Sequence, residues 1–212
     1  MKKFFYIQKY ALWQQNETEK KPDVKFIPSL LSRRLTTVEK TGIFLAHQLE
    51  PLPENCHIVF ASRFGEWQQT IDLIQQFHME GEMSPAGFSH SVHNAMPGML
   101  SVLTKSTNTY TSIAAKEWTI ENALIEAFCE PKPVVFIFAE EETPEFYRPQ
   151  FSNPLTGHGV AFIISDKESA SAQKISVDFE KNDVGPVLFS QLVDFLGAKE
   201  SLTATQFVIR KV

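Results

Sequence analysis

Residues 109–128 read TYTSIAAKEWTIENALIEAF, and a change of period inside them decides the fold. Thr109 to Ile113 is rich in β-branched and aromatic residues, which suits a strand. From Ile120 the apolar positions Ile120, Ala123, Leu124, Ala127 and Phe128 fall at i, i+3, i+4, i+7 and i+8, the stripe of an amphipathic helix. A strand running straight into a helix N-terminus is where many α/β enzymes hold a nucleophile. The helix dipole and the free backbone N–H groups there stabilise developing negative charge. This junction is Ala114-Ala115-Lys116, with no cysteine and only Ser112 close by.

The same alternation extends outward on both sides. Upstream, KFFYIQKYALW (3–13) reads as a first strand, followed by a polar connector at 14–25 that is expected to be disordered. Thr36 and Glu39 form a capping box for a helix running to about Leu49. HIVFAS (57–62) is a short buried strand. Gly65 opens a helix with an inward stripe of Trp67, Ile71, Ile74 and Phe77 or His78. A loop at 80–93 precedes a helix from Ala95 to Leu103 with Pro97 in its first turn. Downstream, PVVFIFAEE (133–141) and GVAFIIS (159–165) are continuous apolar runs, the pattern of strands covered on both faces. KISVDFE, a helix at about 186–196 and a closing strand ATQFVIRKV complete the chain. Strands alternating with helices predict an α/β layered domain with a mixed sheet.

Bulk properties narrow the function classes. The 212 residues fit one large domain with a core that needs no staples. Eighteen Phe against four Tyr favour a dry core or a broad apolar contact surface over a polar aromatic site. A net charge of −5 with no basic stripe argues against a nucleic-acid partner. Cys56 and Cys129 lie far apart with no CxxC pairing, so neither a disulfide framework nor a zinc site is expected. Gln8, Lys9 and Tyr10 break the apolar run at the start, so it reads as a strand and not as a signal peptide. No window reaches the ~20 apolar residues of a membrane span. A cytoplasmic protein is expected.

Several groups of residues could carry chemistry. In FSHSVHNA (88–95), His90 and His93 have a spacing that can hold zinc on a helix, but no third ligand follows at a suitable interval. The alternative is that these groups hydrogen-bond a loop as it enters the next helix. A serine hydrolase would use Ser91 or Ser62 with His93 or His158, although neither serine sits in a G-x-S-x-G elbow. Glu140, Glu141 and Glu142 could supply an acid and a base, or simply form a solvated turn. Cys129 ends a helix, where the dipole raises a thiol pKa, so it reads as structural.

Three blocks carry a family resemblance: FASRFGEWQQTIDLIQQF (60–77), SPAGFSHSVHNAMPGMLSV (84–102) and TSIAAKEWTIENALIEAF (111–128). They resemble consecutive blocks of the N-terminal half of β-ketoacyl synthases, and more closely the short synthase-like proteins of aryl polyene biosynthesis. The resemblance covers about residues 28–165, is most specific at 84–98, and fades past 166. It implies half of a thiolase-like fold, a mixed five-stranded sheet layered with helices, with a short β-α-β tail. The chain is then one domain over 1–212, with about 1–165 the thiolase-like half and 166–212 a divergent tail.

Two departures from that family bear on function. Where the family holds its acyl-accepting cysteine, this chain offers Ile113-Ala114-Ala115-Lys116, and alanine cannot carry an acyl group. The family's second thiolase half supplies two histidines, and 212 residues leave no room for it. The resemblance therefore implies a non-catalytic partner, like the chain-length factors of type II polyketide synthases. Such a partner joins a full-length, cysteine-bearing ketosynthase in a heterodimer or heterotetramer and meets acyl carrier protein through the complex. No cofactor and no metal are expected. In the family the strand before the nucleophile pairs across the dimer axis, and nearby residues line the acyl pocket. The interface or pocket candidates are His93, Asn94, Met96, Met99, Leu100, Leu103, Tyr110, Ser112, Ala114 and Ala115. Methionines suit packing against a flexible polyene, although Met96, Met99, Leu100 and Leu103 could equally fill this chain's own core.

An exposed TYTSI edge invites pairing, and a partner strand would cover it within an interface above roughly 2,000 Å². Purified alone, the chain is expected to be insoluble or self-associated. Two rival readings stand beside this one. The first is an acyl-thioester hydrolase or acyltransferase using Ser112 or Ser91 with a histidine. The second is a module that docks acidic carrier protein through Arg33, Arg34 and Lys40 on the first helix.

Overall fold

The apolar runs of the sequence become the middle of one sheet, because consecutive side chains there enter two different cores. In the computed structural model, which describes residues 2–212, the chain begins with β1 (Lys2–Gln14), α1 (Ser29–Ser32), α2 (Thr37–Gln48) and β2 (His57–Ala61). α3 (Trp67–Glu80), α4 (Pro85–Ser89), α5 (Ala95–Thr104), β3 (Thr109–Ile113) and α6 (Thr119–Cys129) follow. β4 (Val134–Glu140), β5 (His158–Ser165), β6 (Gln173–Asp178), α7 (Phe189–Gly197), β7 (Ser201–Thr203) and β8 (Val208–Lys211) complete the chain.

All eight strands form one sheet in the order β3-β2-β4-β5-β1-β6-β8-β7. β3, β2 and β4 run parallel, and every other neighbouring pair is antiparallel. The expected mixed sheet and layered helices are present, but five strands is a correction to eight. The tail does not stand apart, since β6, β8 and β7 continue the sheet beyond β1. The expected closing strand is a hairpin of β7 and β8, because Ala204 to Phe207 turns the chain back through an Ala204 N–H to Phe207 carbonyl bond of 2.8 Å.

On one face Ile58, Phe60, Val135, Ile137 and Ala139 pack with Leu45 and Ile43 of α2 and with Met96 and Leu100 of α5. On the other, Val59, Ala61, Val134, Phe136 and Phe138 pack with Ile120, Leu124 and Phe128 of α6 and with Leu192 and Phe195 of α7. This two-sided burial is why β4 reads as an unbroken apolar run. The Thr36–Glu39 capping box of α2 forms as its sequence pattern requires, with Glu39 N–H donating to Thr36 Oγ1 at 3.1 Å and Thr36 N–H to Glu39 Oε2 at 2.8 Å. α2 and α5 approach so closely that a Cβ at Gly42 would lie 2.6 Å from Met96 Cγ.

Three local expectations change. The loop at 80–93 contains α4, capped by Ser84, whose Oγ accepts from Gly87 N–H at 3.1 Å. The connector at 14–25 is held by an Asx turn, with Asn16 Oδ1 accepting from the N–H groups of Thr18 and Glu19. The inward stripe of α3 is only partly inward. Ile71 and Leu73 are buried, whereas Ile74 is 63% and Phe77 53% exposed, because that face lies largely uncovered among the described residues.

Candidate functional site

β2 and β3 end side by side, and the strand-to-helix junction is built there. Ser62 N–H donates to the Ile113 carbonyl at 3.2 Å, tying the two strand ends together. The chain then crosses Ala114 and Ala115 and turns at Lys116, which has a left-handed φ of 51°. Left-handed backbone is uncommon outside glycine and marks a sharp, over-determined turn. Thr119 holds it, with its Oγ1 accepting from Ala115 N–H at 2.9 Å and donating to the Lys116 carbonyl at 2.6 Å. A sharp strand–turn–helix junction is thus in place. The residues that line it are Ala114, Ala115 and Lys116, and none carries a thiol or a hydroxyl.

The block at 88–95 packs behind the same strand ends. His93 Nε2–H donates to the Ser62 carbonyl at 2.8 Å, and its ring lies 5.6 Å from that of Phe60. Gly65, at φ 61°, passes close over it, since a Cβ there would meet His93 Cδ2 at 3.0 Å. His90 pairs instead with the buried Glu39, Nδ1 to Oε1 at 2.7 Å. The two histidines therefore serve different anchors. Among the described residues no group of three or more His, Cys, Asp or Glu is placed to hold a metal ion.

The serines do not find histidines. Ser112 Oγ is buried without a hydrogen-bond partner. Ser91 Oγ donates to the Phe88 carbonyl at 2.9 Å. Ser62 Oγ accepts from Gly65 N–H at 2.9 Å and donates to Glu140 Oε2 at 3.3 Å. His158 Nδ1–H goes to the Thr156 carbonyl at 2.6 Å, and burial pushes its pKa down. A serine with a hydrogen-bonded histidine, the requirement of an acyl hydrolase, is not assembled at Ser112, Ser91 or Ser62.

The acidic run corrects the expectation of a solvated turn. Glu140 and Glu141 are buried, and only Glu142 reaches solvent. Glu140 accepts the Arg63 N–H and the Ser62 hydroxyl, fixing the turn after β2. Glu141 accepts Gln68 N–H at 2.7 Å and so caps α3, which has no side-chain cap of its own. Burial raises both carboxyls to about 7 against the pull of these donors. Burial also raises Glu66, at the N-cap of α3, well above the usual carboxylate range. Phe64, Trp67, Tyr147 and Phe151 form an aromatic cluster beside it, with Phe64 stacked on Trp67 at 4.3 Å between centroids. The signal for these buried acids lay in their position at the end of a fully buried strand.

The structure divides the ten interface candidates. His93, Ala114 and Ala115 gather at the strand ends, together with Ser112, and Asn94 is the exposed N-cap of α5. Met96 and Leu100 belong to the chain's own core, at 0% and 3% exposure, with Met99 and Leu103 half-buried at its rim. Tyr110 is exposed on β3, which pairs with β2 and with no other strand among the described residues. A feature the sequence did not announce anchors the start of that edge. The His57 ring bonds Thr109 Oγ1 at 2.8 Å and Thr111 Oγ1 at 2.9 Å across the ladder. Of the basic candidates, Arg33 and Arg34 follow α1, and only Lys40 lies on α2.

A family model described as the β-ketoacyl synthase N-terminal domain matches residues 8–194, well beyond the 28–165 of the sequence resemblance. Among solved structures, the chain is similar to one in a complex of a ketosynthase (ApeO) with its chain length factor (ApeC) from Xenorhabdus doucetiae. The TM-score is 0.73 at 22% identity, covering 89% of this chain and 83% of that one. A second resembles it at TM-score 0.65 and 15% identity over 86% of this chain and 71% of the other. It is a type II polyketide synthase acyl-carrier protein in complex with its ketosynthase bound to the hexaketide. The ishigamide ketosynthase/chain length factor gives 0.56 at 11% identity over 71% of this chain, which spans 50% of that one. No curated protein matches. Among the described residues no helix is long and apolar enough to cross a membrane.

Proposed function

The chain belongs to the β-ketoacyl synthase N-terminal domain family, and from that membership we propose that it is the non-catalytic, chain-length-factor-like partner of a cysteine-bearing ketosynthase. The observation that carries the proposal is the junction at 113–119. A strand, a left-handed turn and a helix meet there at Ala114, Ala115 and Lys116, the residues that the family resemblance sets against its nucleophile. Covalent elongation needs an acyl acceptor, and the partner supplies it. The resemblance to a chain from a ketosynthase–chain length factor complex supports the same division of labour.

The complex elongates an aryl polyene chain carried on acyl carrier protein, in the cytoplasm. β3 offers its outer edge to the partner, with Tyr110 and Ser112 on it, Ala114 and Ala115 just past it and His93 and Asn94 beside its end. The exposed Ile74, Phe77 and Met79 of α3 add apolar area to the contact, since large exposed apolar patches mark interaction surfaces. Met99 and Leu103, at the rim of the core, shape the acyl pocket, and Met96 and Leu100 support them from inside.

Reconstitution tests the proposal. Malonyl-carrier protein and a starter are supplied to this chain alone, to the ketosynthase alone and to both together. The β-ketoacyl product of decarboxylative condensation forms only with both present, and replacing the partner's cysteine by alanine abolishes it. The same elongated product from the ketosynthase alone, at the same rate and length as with both, would remove the need for this subunit.

A further inference from the structure

Residues 20–40 hold six of the chain's 20 lysines and arginines and only two of its 25 acids, so a positive segment stands inside a chain of net charge −5. The two acids are already engaged. Asp23 accepts from Lys25 Nζ at 2.8 Å and from the Lys25 N–H at 3.1 Å. Glu39 is buried, with its two oxygens bonded to His90 and to the Thr36 N–H. Glu17 and Glu19 lie just upstream, at the Asx turn of Asn16. Among the described residues Lys20, Lys21, Arg33 and Arg34 are exposed and take part in no ion pair.

The same segment carries two sets of apolar residues that face opposite ways. Ile27 and Leu35 are buried in the core, and Val24 and Leu31 pack against it, which pins the connector to the body of the chain. The Ile27 N–H to Val24 carbonyl and Leu31 N–H to Pro28 carbonyl bonds, both 2.9 Å, fix the turns between them. Phe26 and Leu30 face solvent, at 42% and 70% exposure. Lys21, Lys25, Arg33 and Phe26 border one open surface depression, and Leu30 stands on α1 between Lys25 and Arg33 in the chain. Nothing in the chain's own packing uses this outward set.

We infer that this surface docks on an anionic lipid bilayer, with Lys20, Lys21, Arg33 and Arg34 among the headgroups and Phe26 and Leu30 at the acyl boundary. A bilayer offers negative charge at its headgroups and an apolar layer just beneath. Flexible cationic side chains beside an outward Phe and Leu satisfy both, because the long stems keep their charged ends at headgroup level while the apolar side chains go deeper. The face of an acidic protein would satisfy the cations but not Phe26 and Leu30. Each cation at such a surface strengthens partitioning about fivefold. Four of them with two apolar side chains give a reversible, peripheral attachment. None of these residues is assigned to the ketosynthase contact, so the docking does not rest on that pairing.

Flotation with vesicles tests this, using the full chain in the assembly in which it purifies. At about 0.1 M ionic strength, phosphatidylcholine vesicles with about 30% phosphatidylglycerol carry the chain upward, and pure phosphatidylcholine vesicles leave it behind. Raising the salt to about 0.5 M releases most of it. Lys21→Gln and Arg33→Gln each weaken partitioning about fivefold. Leu30→Ser weakens it by at least about fivefold, since it removes an apolar side chain from the acyl boundary. Lys181→Gln, which removes an exposed cation outside the segment, changes it less than about twofold. Lys21, Leu30 and Arg33 are exposed, so these variants keep the thermal midpoint of the original chain. Equal binding to the two kinds of vesicle, no flotation, or undiminished binding of Leu30→Ser overturns the inference. Displacement of the chain from the vesicles by an equimolar amount of acyl carrier protein also overturns it, because the surface then belongs to an acidic protein.

Discussion

Ser112 stands opposite Phe60 in the parallel ladder of β3 and β2, and no strand lies on its other side among the described residues. An edge of this kind, beside a junction without a nucleophile, is the surface on which the proposed partnership rests. Tyr110, exposed two residues before Ser112, tests it. Tyr110→Asp places a charge along the pairing edge and should weaken ketosynthase binding at least about tenfold. Tyr110 belongs to neither buried cluster, so the variant's thermal midpoint should stay near that of the original chain. Undiminished binding of the variant would remove β3 from the interface.

The junction's chemistry can be read directly. Incubated with an activated acyl thioester, the chain should take up no acyl group, while the ketosynthase in the same mixture is acylated at its cysteine. Ser112→Ala should leave product formation by the complex unchanged, since Ser112 Oγ has no hydrogen-bond partner to activate it. Intact-mass spectrometry checks the first expectation and the yield of elongated acyl product the second. Loss of thioester turnover in the Ser112 variant would revive the hydrolase reading.

Met96 and Leu103 lie on the same helix but should behave differently. Met96 is fully buried against Gly42, so Met96→Ala should cost about 2–5 kcal/mol in chemical unfolding. Gly42→Ala forces a Cβ into the Met96 side chain and should cost about 1–3 kcal/mol. Leu103 is half-buried at the rim, so Leu103→Ala should cost less and instead alter the length of the polyene made by the complex. Equal destabilisation by Met96→Ala and Leu103→Ala, with unchanged product, would place both in a purely structural role.

Glu140 and Glu141 should make stability fall as pH rises toward neutrality. Burial raises both carboxyls from an ordinary 4.5 to about 7 in the folded chain. Between about pH 4.5 and 7 the folded chain therefore holds protons that the unfolded chain has released. Its stability is fullest below the lower value, declines through this window and levels off above it. The decline should be on the order of a few kcal/mol. Glu140→Gln and Glu141→Gln, measured by urea unfolding across this range, should each flatten it. Slopes unchanged by either substitution would assign the decline to other groups.

The sequence made most of the sheet legible where burial is two-sided or periodicity strong. β4, β5 and α6 follow from apolar runs and one helical stripe, and the Thr36–Glu39 cap from a local hydrogen-bonding pattern. Burial is set by distant neighbours, and there local pattern failed. Ile74 and Phe77 share a period with the buried Ile71 but lie on a face left largely uncovered among the described residues. Glu140 and Glu141 look like turn residues, yet they are buried because the backbone N–H groups of Arg63 and Gln68 need acceptors there. That no cysteine stands at 113–116 was readable residue by residue. The turn at Lys116 and the His57 clamp on Thr109 and Thr111 required the fold.

The central claim is that this chain exists to pair with a catalytic ketosynthase. Co-expression with a full-length, cysteine-bearing ketosynthase of the same source, followed by size-exclusion chromatography with mass determination, tests it most directly. The expected result is a stoichiometric complex with an interface above roughly 2,000 Å², and an insoluble or self-associated chain when the partner is left out. A well-behaved monomer of this chain that elutes apart from the ketosynthase would contradict it.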